Sequence, residues 1–221
     1  MPTGKLSQRD IAYAALRERI QEGTVRPGEV LTQADQAEQL GLSRMPVREA
    51  MQRLEYDGLL TPLARRGWVV KTITTQEIEE LYVIRTRLET LAAARAAQRA
   101  GPGELVELRA ALDRQRTAVV EEDELANLRA FDRAFHREVW TLSRSPLLES
   151  LLDRLVDAGI LDPLQQRVFA HAESLEQSIA DHEQIYEAIT SGNAGSAEAA
   201  MAAHAERYWA AAIKILSGGG R

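Results

Sequence analysis

The histidines offer this chain its richest chemistry, and there are four: His136, His171, His182 and His204. Asp132 and His136 stand four apart, so on a helix both project from one face, a turn from each other. His182 and His204 are equidistant from Asn193, inside a stretch (Ser191-Gly192-Asn193-Ala194-Gly195) that reads as a turn between two helices. In an antiparallel hairpin, residues equidistant from the turn lie at one height, so the two imidazoles can face each other. Packing the Asp132/His136 helix against that pair would gather one carboxylate and three imidazoles. Such a set suits a divalent transition metal: Zn, Ni, Mn or Fe. Octahedral coordination would leave two positions open for water or a carboxylate effector. Tetrahedral coordination would close the site and make it structural. The plainer reading of a buried histidine is a hydrogen-bonded core residue, and that reading is kept for His171.

A second constellation is basic. Arg44 and Arg48, four apart, share a helical face. Arg44 sits at the N-terminal end, the part of a recognition helix that enters the major groove. Arginine bonds bidentately to guanine, worth about 1–3 kcal/mol of discrimination. Ser43 and the backbone N–H groups it caps can hold a phosphate. Arg65 and Arg66, in the turn before Gly67, can reach the adjacent backbone or minor groove. Alone, these arginines would read as solvated charge paired with Glu49, Glu55 and Asp57. Their coincidence with a helix-turn-helix and a hairpin reverses that reading.

The elements that must position these residues are legible in outline. Ser7 caps a helix to about Glu22, and Arg26-Pro27-Gly28-Glu29 is a turn. Thr32 caps a short helix ending near Leu40. Ser43 caps a third, from Met45 to about Tyr56, with Pro46 and Glu49 in its first turn. Val47, Met51 and Leu54 fall on its core-facing side. Two short helices around Leu40-Gly41-Leu42-Ser43 outline a helix-turn-helix. The β-prone runs Leu59–Leu63 and Trp68–Lys71 then read as a hairpin wing. From Thr74 the pattern predicts six helices, at about 75–100, 103–122, 124–143, 146–160, 168–191 and 195–216, joined by short breaks into an antiparallel bundle. The fold class is therefore mainly α: a winged helix-turn-helix of three helices plus hairpin over 1–73, and a six-helix bundle over 74–221.

Composition agrees. The chain has 221 residues, 45% hydrophobic and only 5% aromatic, with apolar residues dominated by Ala and Leu, which favours helix. It has no cysteine, which excludes disulfides and thiolate ligands. No apolar run approaches a membrane span and no signal-like stretch opens the chain, so no membrane partner and a cytoplasmic location are expected. Residues 1–71 carry 11 Lys+Arg against 9 Asp+Glu, a net of +2; the remainder carries a net of −8. A mildly basic head on an acidic body is the asymmetry of a DNA reader joined to a domain with another task.

The run Leu42-Ser43-Arg44-Met45-Pro46-Val47-Arg48-Glu49-Ala50-Met51-Gln52-Arg53-Leu54, followed by Asp57-Gly58-Leu59 and Arg66-Gly67, resembles the winged-helix signature of the GntR family of regulators. Residues after 75 resemble the effector domain of its FadR-like (FCD) branch. The carriers are Leu81-Tyr82-x-x-Arg85-x-x-x-Glu89, Phe131-Asp132-x-x-Phe135-His136, Asp181-His182-x-x-Ile185-x-x-Ala188-Ile189 and Met201-x-x-His204. Six bundle helices resemble the vanillate-regulator-like subgroup. The resemblance implies that Ser43, Arg44, Arg48 and Gly67 contact DNA and that Asp132, His136, His182 and His204 hold the ion. It also implies that Arg85 clamps an effector carboxylate, against the plainer reading of a salt bridge to Glu89. Arg129 and Ser178, a turn or less before ligands, would line the same pocket. Three positions depart from the family pattern: Ala34 where some members carry a basic DNA contact, Gln36 where Leu is usual, and Ser145 where Asn often precedes the proline.

The expected function is a homodimeric repressor on a pseudo-palindromic double-stranded operator, released by a small carboxylate, and not an enzyme. The alternatives are a metal-dependent enzyme using the Asp/His site to activate water, and a DNA-binding protein with a purely structural metal.

Overall fold

The computed structural model of the chain describes residues 7–21, 23–64, 66–72, 74–120, 125–157, 168 and 172–218. They form two compact units: one runs up to Thr75 and also takes in Val156 and Asp157, and the other holds the remaining described residues.

The first unit holds α1 (Gln8–Gln21), α2 (Gln33–Leu40) and α3 (Arg44–Tyr56). Its sheet has three antiparallel strands, β1 (Val30–Leu31), β2 (Leu60–Leu63) and β3 (Gly67–Val70), in the order β1-β3-β2. Helices α1 and α2 begin at side-chain caps. Ser7 Oγ accepts from the Asp10 N–H at 3.2 Å, and Thr32 Oγ1 accepts from the Asp35 N–H at 3.1 Å. Gly41, left-handed at φ 63°, ends α2 and lets the chain re-enter α3 three residues later. The apolar stripe of α3 (Val47, Ala50, Met51, Leu54) is fully buried against Ala12, Leu16 and Ile20 of α1 and the strand residues Leu31, Leu60 and Val70.

One strand is new relative to the sequence expectation, and the Gln36 departure has a partner. A two-residue β1 pairs Val30 with Val69 and Leu31 with Trp68, too short to show any alternation in sequence. Gln36, at 3% exposure, is not a defect in the core, because its Oε1 accepts from Arg19 Nη1 at 2.8 Å.

Gly67 is fixed by this sheet. Its φ is +102°, and a Cβ built there would collide with the Leu31 carbonyl oxygen and lie 3.2 Å from Thr32 Cα, backbone that cannot swing aside. Gly67→Ala is expected to destabilise the first unit by about 2–4 kcal/mol. At the size of this unit that lowers its thermal midpoint by roughly 10 °C or more. A midpoint within 2 °C of the parent would show that the β1–β3 contact is not needed.

The second unit is a bundle of α4 (Thr75–Arg99), α5 (Leu105–Val120), α6 (Leu125–Leu142), α7 (Pro146–Asp157), α8 (Ala172–Thr190) and α9 (Ala194–Gly218). Helix α8 packs on α9 and on α5, and α5 packs on α6. The α8–α9 turn closes through left-handed Gly192 and Asn193, whose Oδ1 accepts from the Ser196 N–H at 3.0 Å. Small residues on α4 (Ala92, Ala93, Ala96, Ala97) form its buried face. Arg99 and Arg95 tie it to the start of α7 through the Ser143 carbonyl at 2.7 Å and Ser145 Oγ at 2.9 Å. The core is Leu108, Leu112, Phe135, Val139, Trp140, Leu152, Ile185 and Met201. Set among these are buried polar residues: Glu89, Gln115, Asp132, His136, Ser178, Asp181, His182 and His204. Polar groups are buried at such density only where they satisfy one another or a ligand. Among the described residues, no helix is long and apolar enough to cross a membrane.

Candidate functional site

Three imidazoles meet in the second unit: His136 from α6, His182 from α8 and His204 from α9. Each can turn a ring nitrogen to within 4.8 Å of the other two. Ring centroids are 5.1 Å apart for His136–His182, 5.3 Å for His136–His204 and 4.7 Å for His182–His204. The last pair meets across the α8–α9 hairpin, whose turn centres on Asn193. Asp132, one turn before His136 on α6, brings Oδ1 to 3.7 Å from His182 Nε2. All four are buried. His171 lies outside the described residues.

Each ring turns its Nδ1 toward a different acceptor. His182 Nδ1 is 2.7 Å from Gln115 Oε1, His204 Nδ1 is 3.3 Å from Asp181 Oδ2, and His136 Nδ1 is 3.2 Å from Glu89 Oε1. The last contact has hydrogen-bond length but not hydrogen-bond alignment. Phe135 stacks on the His182 ring at 4.1 Å. Burial, reinforced by neighbouring His204 and His136, holds the His182 pKa well below the ordinary histidine range. His182 is thus neutral, with a lone pair to give. Its Nε2 is buried and has no hydrogen-bond partner among the described residues, and 3.7 Å to Asp132 is too long to count. An orphaned buried nitrogen beside two further imidazoles and a carboxylate fits a divalent ion of the kind that histidine and aspartate ligate.

Around the cluster stand the residues expected to meet an effector. Arg85 Nη2 lies 3.2 Å from Glu89 Oε1, so the salt bridge weighed against the clamp is present. Yet Arg85 Nε remains buried without a hydrogen-bond partner, a donor still available to a ligand. Burial alone would raise the Glu89 carboxyl, but Arg85 and then His136 outweigh it and hold its pKa at about 2. Ser178 Oγ is 3.4 Å from Asp132 Oδ1. Arg129, on α6 three residues before Asp132, also leaves Nε buried and unpartnered.

In the first unit, Arg44 and Arg48 lie exposed on α3, opposite its buried stripe. Neither makes an ion pair among the described residues. The acids that would have neutralised them are partly engaged elsewhere: Glu55 accepts from Trp68 Nε1 at 2.7 Å and Asp57 from the Tyr13 hydroxyl at 2.7 Å. Gln33 Nε2 donates to the Arg44 carbonyl at 2.9 Å, pinning α2 to the start of α3. Ser43 occupies the N-cap, but its hydroxyl makes no capping bond. It does not cap α3 as expected, and it leaves the first-turn N–H groups uncovered. Arg66 is exposed in the turn before Gly67. Arg65 lies outside the described residues.

Residues 8–70 match the family model "Bacterial regulatory proteins, gntR family", and residues 80–207 match the FCD domain. The chain belongs to the GntR family, with an FCD domain. Among its relatives is the HTH-type transcriptional regulator YdhC of Bacillus subtilis, 30% identical over 192 residues, 87% of this chain and 85% of that one. The HTH-type transcriptional repressor RspR of Escherichia coli is 27% identical over 203 residues, covering 92% and 87%. A crystal structure described as a putative GntR regulator from Rhodococcus sp. RHA1 superposes with a TM-score of 0.73 at 27% identity, over 98% of this chain and all of that one. E. coli McbR/YncC shares the fold at a TM-score of 0.78, over 96% and 100%, at 22% identity. The vanillate-regulator-like subgroup is not among these findings.

For a GntR-family chain, two departures now have a physical account. Gln36 replaces apolar packing with a hydrogen bond to Arg19, and Ala34 is exposed, so its lack of charge costs the fold nothing. The FCD unit also contains Gln115, Asp181 and the Glu89–His136 contact, which sequence reading did not assign to the site. Asp181 adjoins His182 in sequence, which was a signal of sorts. Gln115 gave none, because only the packing of α5 against α6 and α8 brings it there.

Proposed function

We propose that the chain is a transcriptional repressor that binds a pseudo-palindromic operator as a homodimer and leaves it when a small carboxylate binds beside a divalent ion in the FCD unit. Asp132, His136, His182 and His204 would hold the ion, which is Zn, Ni, Mn or Fe, and coordination short of saturation would leave a position for the effector carboxylate. Arg85 would clamp that carboxylate, with Arg129 and Ser178 along the pocket. The winged helix would read DNA with Arg44 and Arg48, against phosphates held by Ser43 and by Arg65, Arg66 and Gly67 of the wing.

The observation that carries this reading is the orphaned, buried Nε2 of His182 among two imidazoles and Asp132. A cation held there would supply the partner that this nitrogen lacks among the described residues. The repressor sense is supported by the relative RspR, whose name states that role. An enzymatic reading would need a general base or nucleophile free to act, and the carboxylates beside the ligands, Glu89 and Asp181, are each in contact with an arginine, Arg85 and Arg207. Release requires that the effector bind the DNA-free arrangement more tightly than the DNA-bound one.

The test is a titration of the metal-loaded chain, bound to a labelled operator fragment, with a panel of small carboxylates. One or more should release DNA and bind saturably without turnover, and a chelator should abolish that response. Product formation would favour the enzyme. Silence across a broad panel, with metal tightly held, would leave the metal structural.

A further inference from the structure

Helix α5 contributes no ligand to the cluster, yet it carries a side chain that touches two candidate ligands, His182 and Asp132. Gln115 is 2% exposed, and a buried amide must be matched at both ends or it destabilises the core. Here both ends are matched by candidate ligands: Oε1 lies 2.7 Å from His182 Nδ1, and Nε2 lies 3.4 Å from Asp132 Oδ1. We propose that Gln115 is the positioning residue of this centre, fixing at once the tautomer of His182 and the placement of Asp132. The proposal rests on the metal reading above.

The direction of the network follows from what each group can donate. An ionised carboxylate only accepts, so the NH2 end of the Gln115 amide must face Asp132. Its carbonyl end must then face His182. A carbonyl only accepts, so His182 carries its proton on Nδ1. The lone pair is left on Nε2, the buried nitrogen without a hydrogen-bond partner. Ser178 Oγ, 3.4 Å from the same Asp132 oxygen, donates in the same sense. Were the amide reversed, its NH2 would face a ring nitrogen, the proton would move to Nε2, and His182 could not ligate. One neutral side chain thus decides whether the fully buried ring presents a lone pair or a proton to the cluster. His136 and His204 face Glu89 and Asp181, carboxylates already in contact with Arg85 and Arg207. Gln115 is the uncharged partner of the three, so it orients its ring without adding negative charge to the pocket.

Two measurements test this on the full-length chain. The first needs no variant: ring ¹⁵N–¹H correlation of the metal-free protein labelled at histidine. His182 is expected as the Nδ1–H tautomer; the Nε2–H tautomer would overturn the assignment. The second compares Gln115→Met, similar in volume but lacking both the acceptor and the donor, with the parent. Zn(II) and Mn(II) affinities are read by competition with a chromophoric chelator. A 10–100-fold loss is expected, the range found when such outer partners are removed, with helicity retained in the metal-free state. Equal affinities in a folded Gln115→Met chain would remove Gln115 alone. Failure of the parent chain to bind any of Zn(II), Mn(II), Ni(II) or Fe(II) would remove the metal reading and this proposal with it. Should Gln115→Met not fold, the tautomer measurement on the parent still decides.

Discussion

Arg44→Ala is expected to abolish specific operator binding while leaving folding and metal content unchanged. One bidentate arginine–guanine contact discriminates by about 1–3 kcal/mol. On the proposed pseudo-palindrome, bound by two copies, the contact would be lost twice, about 2–6 kcal/mol. At about 1.4 kcal/mol per decade, specific affinity falls by roughly 30-fold to 10⁴-fold. The fold should not notice. Arg44 is exposed in the first turn of α3, makes no ion pair among the described residues, and its carbonyl contact to Gln33 is backbone that alanine keeps. Affinity for unrelated DNA should fall far less, because one charge among several phosphate contacts is removed. The comparison is made at one salt concentration, with thermal midpoint and metal content recorded beside it. Operator affinity equal to the parent's would remove α3 as the reading helix.

What the sequence made legible, and what it did not, divides along the range of the interaction. The helices came from local rules: capping residues at Ser7 and Thr32, breaks at Gly41 and Gly192, and an apolar period that buries Val47, Met51 and Leu54. The meeting of His182 and His204 was also readable, because hairpin symmetry about Asn193 is a property of one turn. What escaped were contacts between elements distant in the chain. Strand β1 is two residues long and exists only because β3 offers it an edge. Ser43 stands at the N-cap, yet nothing local revealed that its hydroxyl would leave the cap open. Gln115 and Glu89 reach the cluster from α5 and α4, whose rotation about their own axes is set by the alanine and leucine packing of the whole bundle. Periodicity specifies which face of a helix is buried, but not which buried polar residue meets which.

His182→Leu should separate a functional cluster from a merely structural one. In the metal-free chain the substitution replaces a buried ring whose Nε2 has no hydrogen-bond partner with an apolar group of similar size. It leaves only Gln115 Oε1 without its donor. The removed orphan and the created one offset in kind, so the metal-free thermal midpoint should move by a few degrees at most. In the metal-loaded chain the outcome is different. Four-ligand zinc sites bind with roughly 10–16 kcal/mol, so one ligand in four is worth about 2.5–4 kcal/mol. Metal affinity should therefore fall on the order of 10² to 10³-fold. The stabilisation conferred by the ion should fall with it: metal at a hundred times its Kd adds about 2.7 kcal/mol, and at its Kd almost nothing. The signature is a substitution nearly silent without metal and costly with it, read as two melting curves per variant. If instead His182→Leu lowered both midpoints equally, the imidazoles would be ordinary core histidines satisfied by Gln115, Asp181 and Glu89, and no ion would be needed to explain their burial.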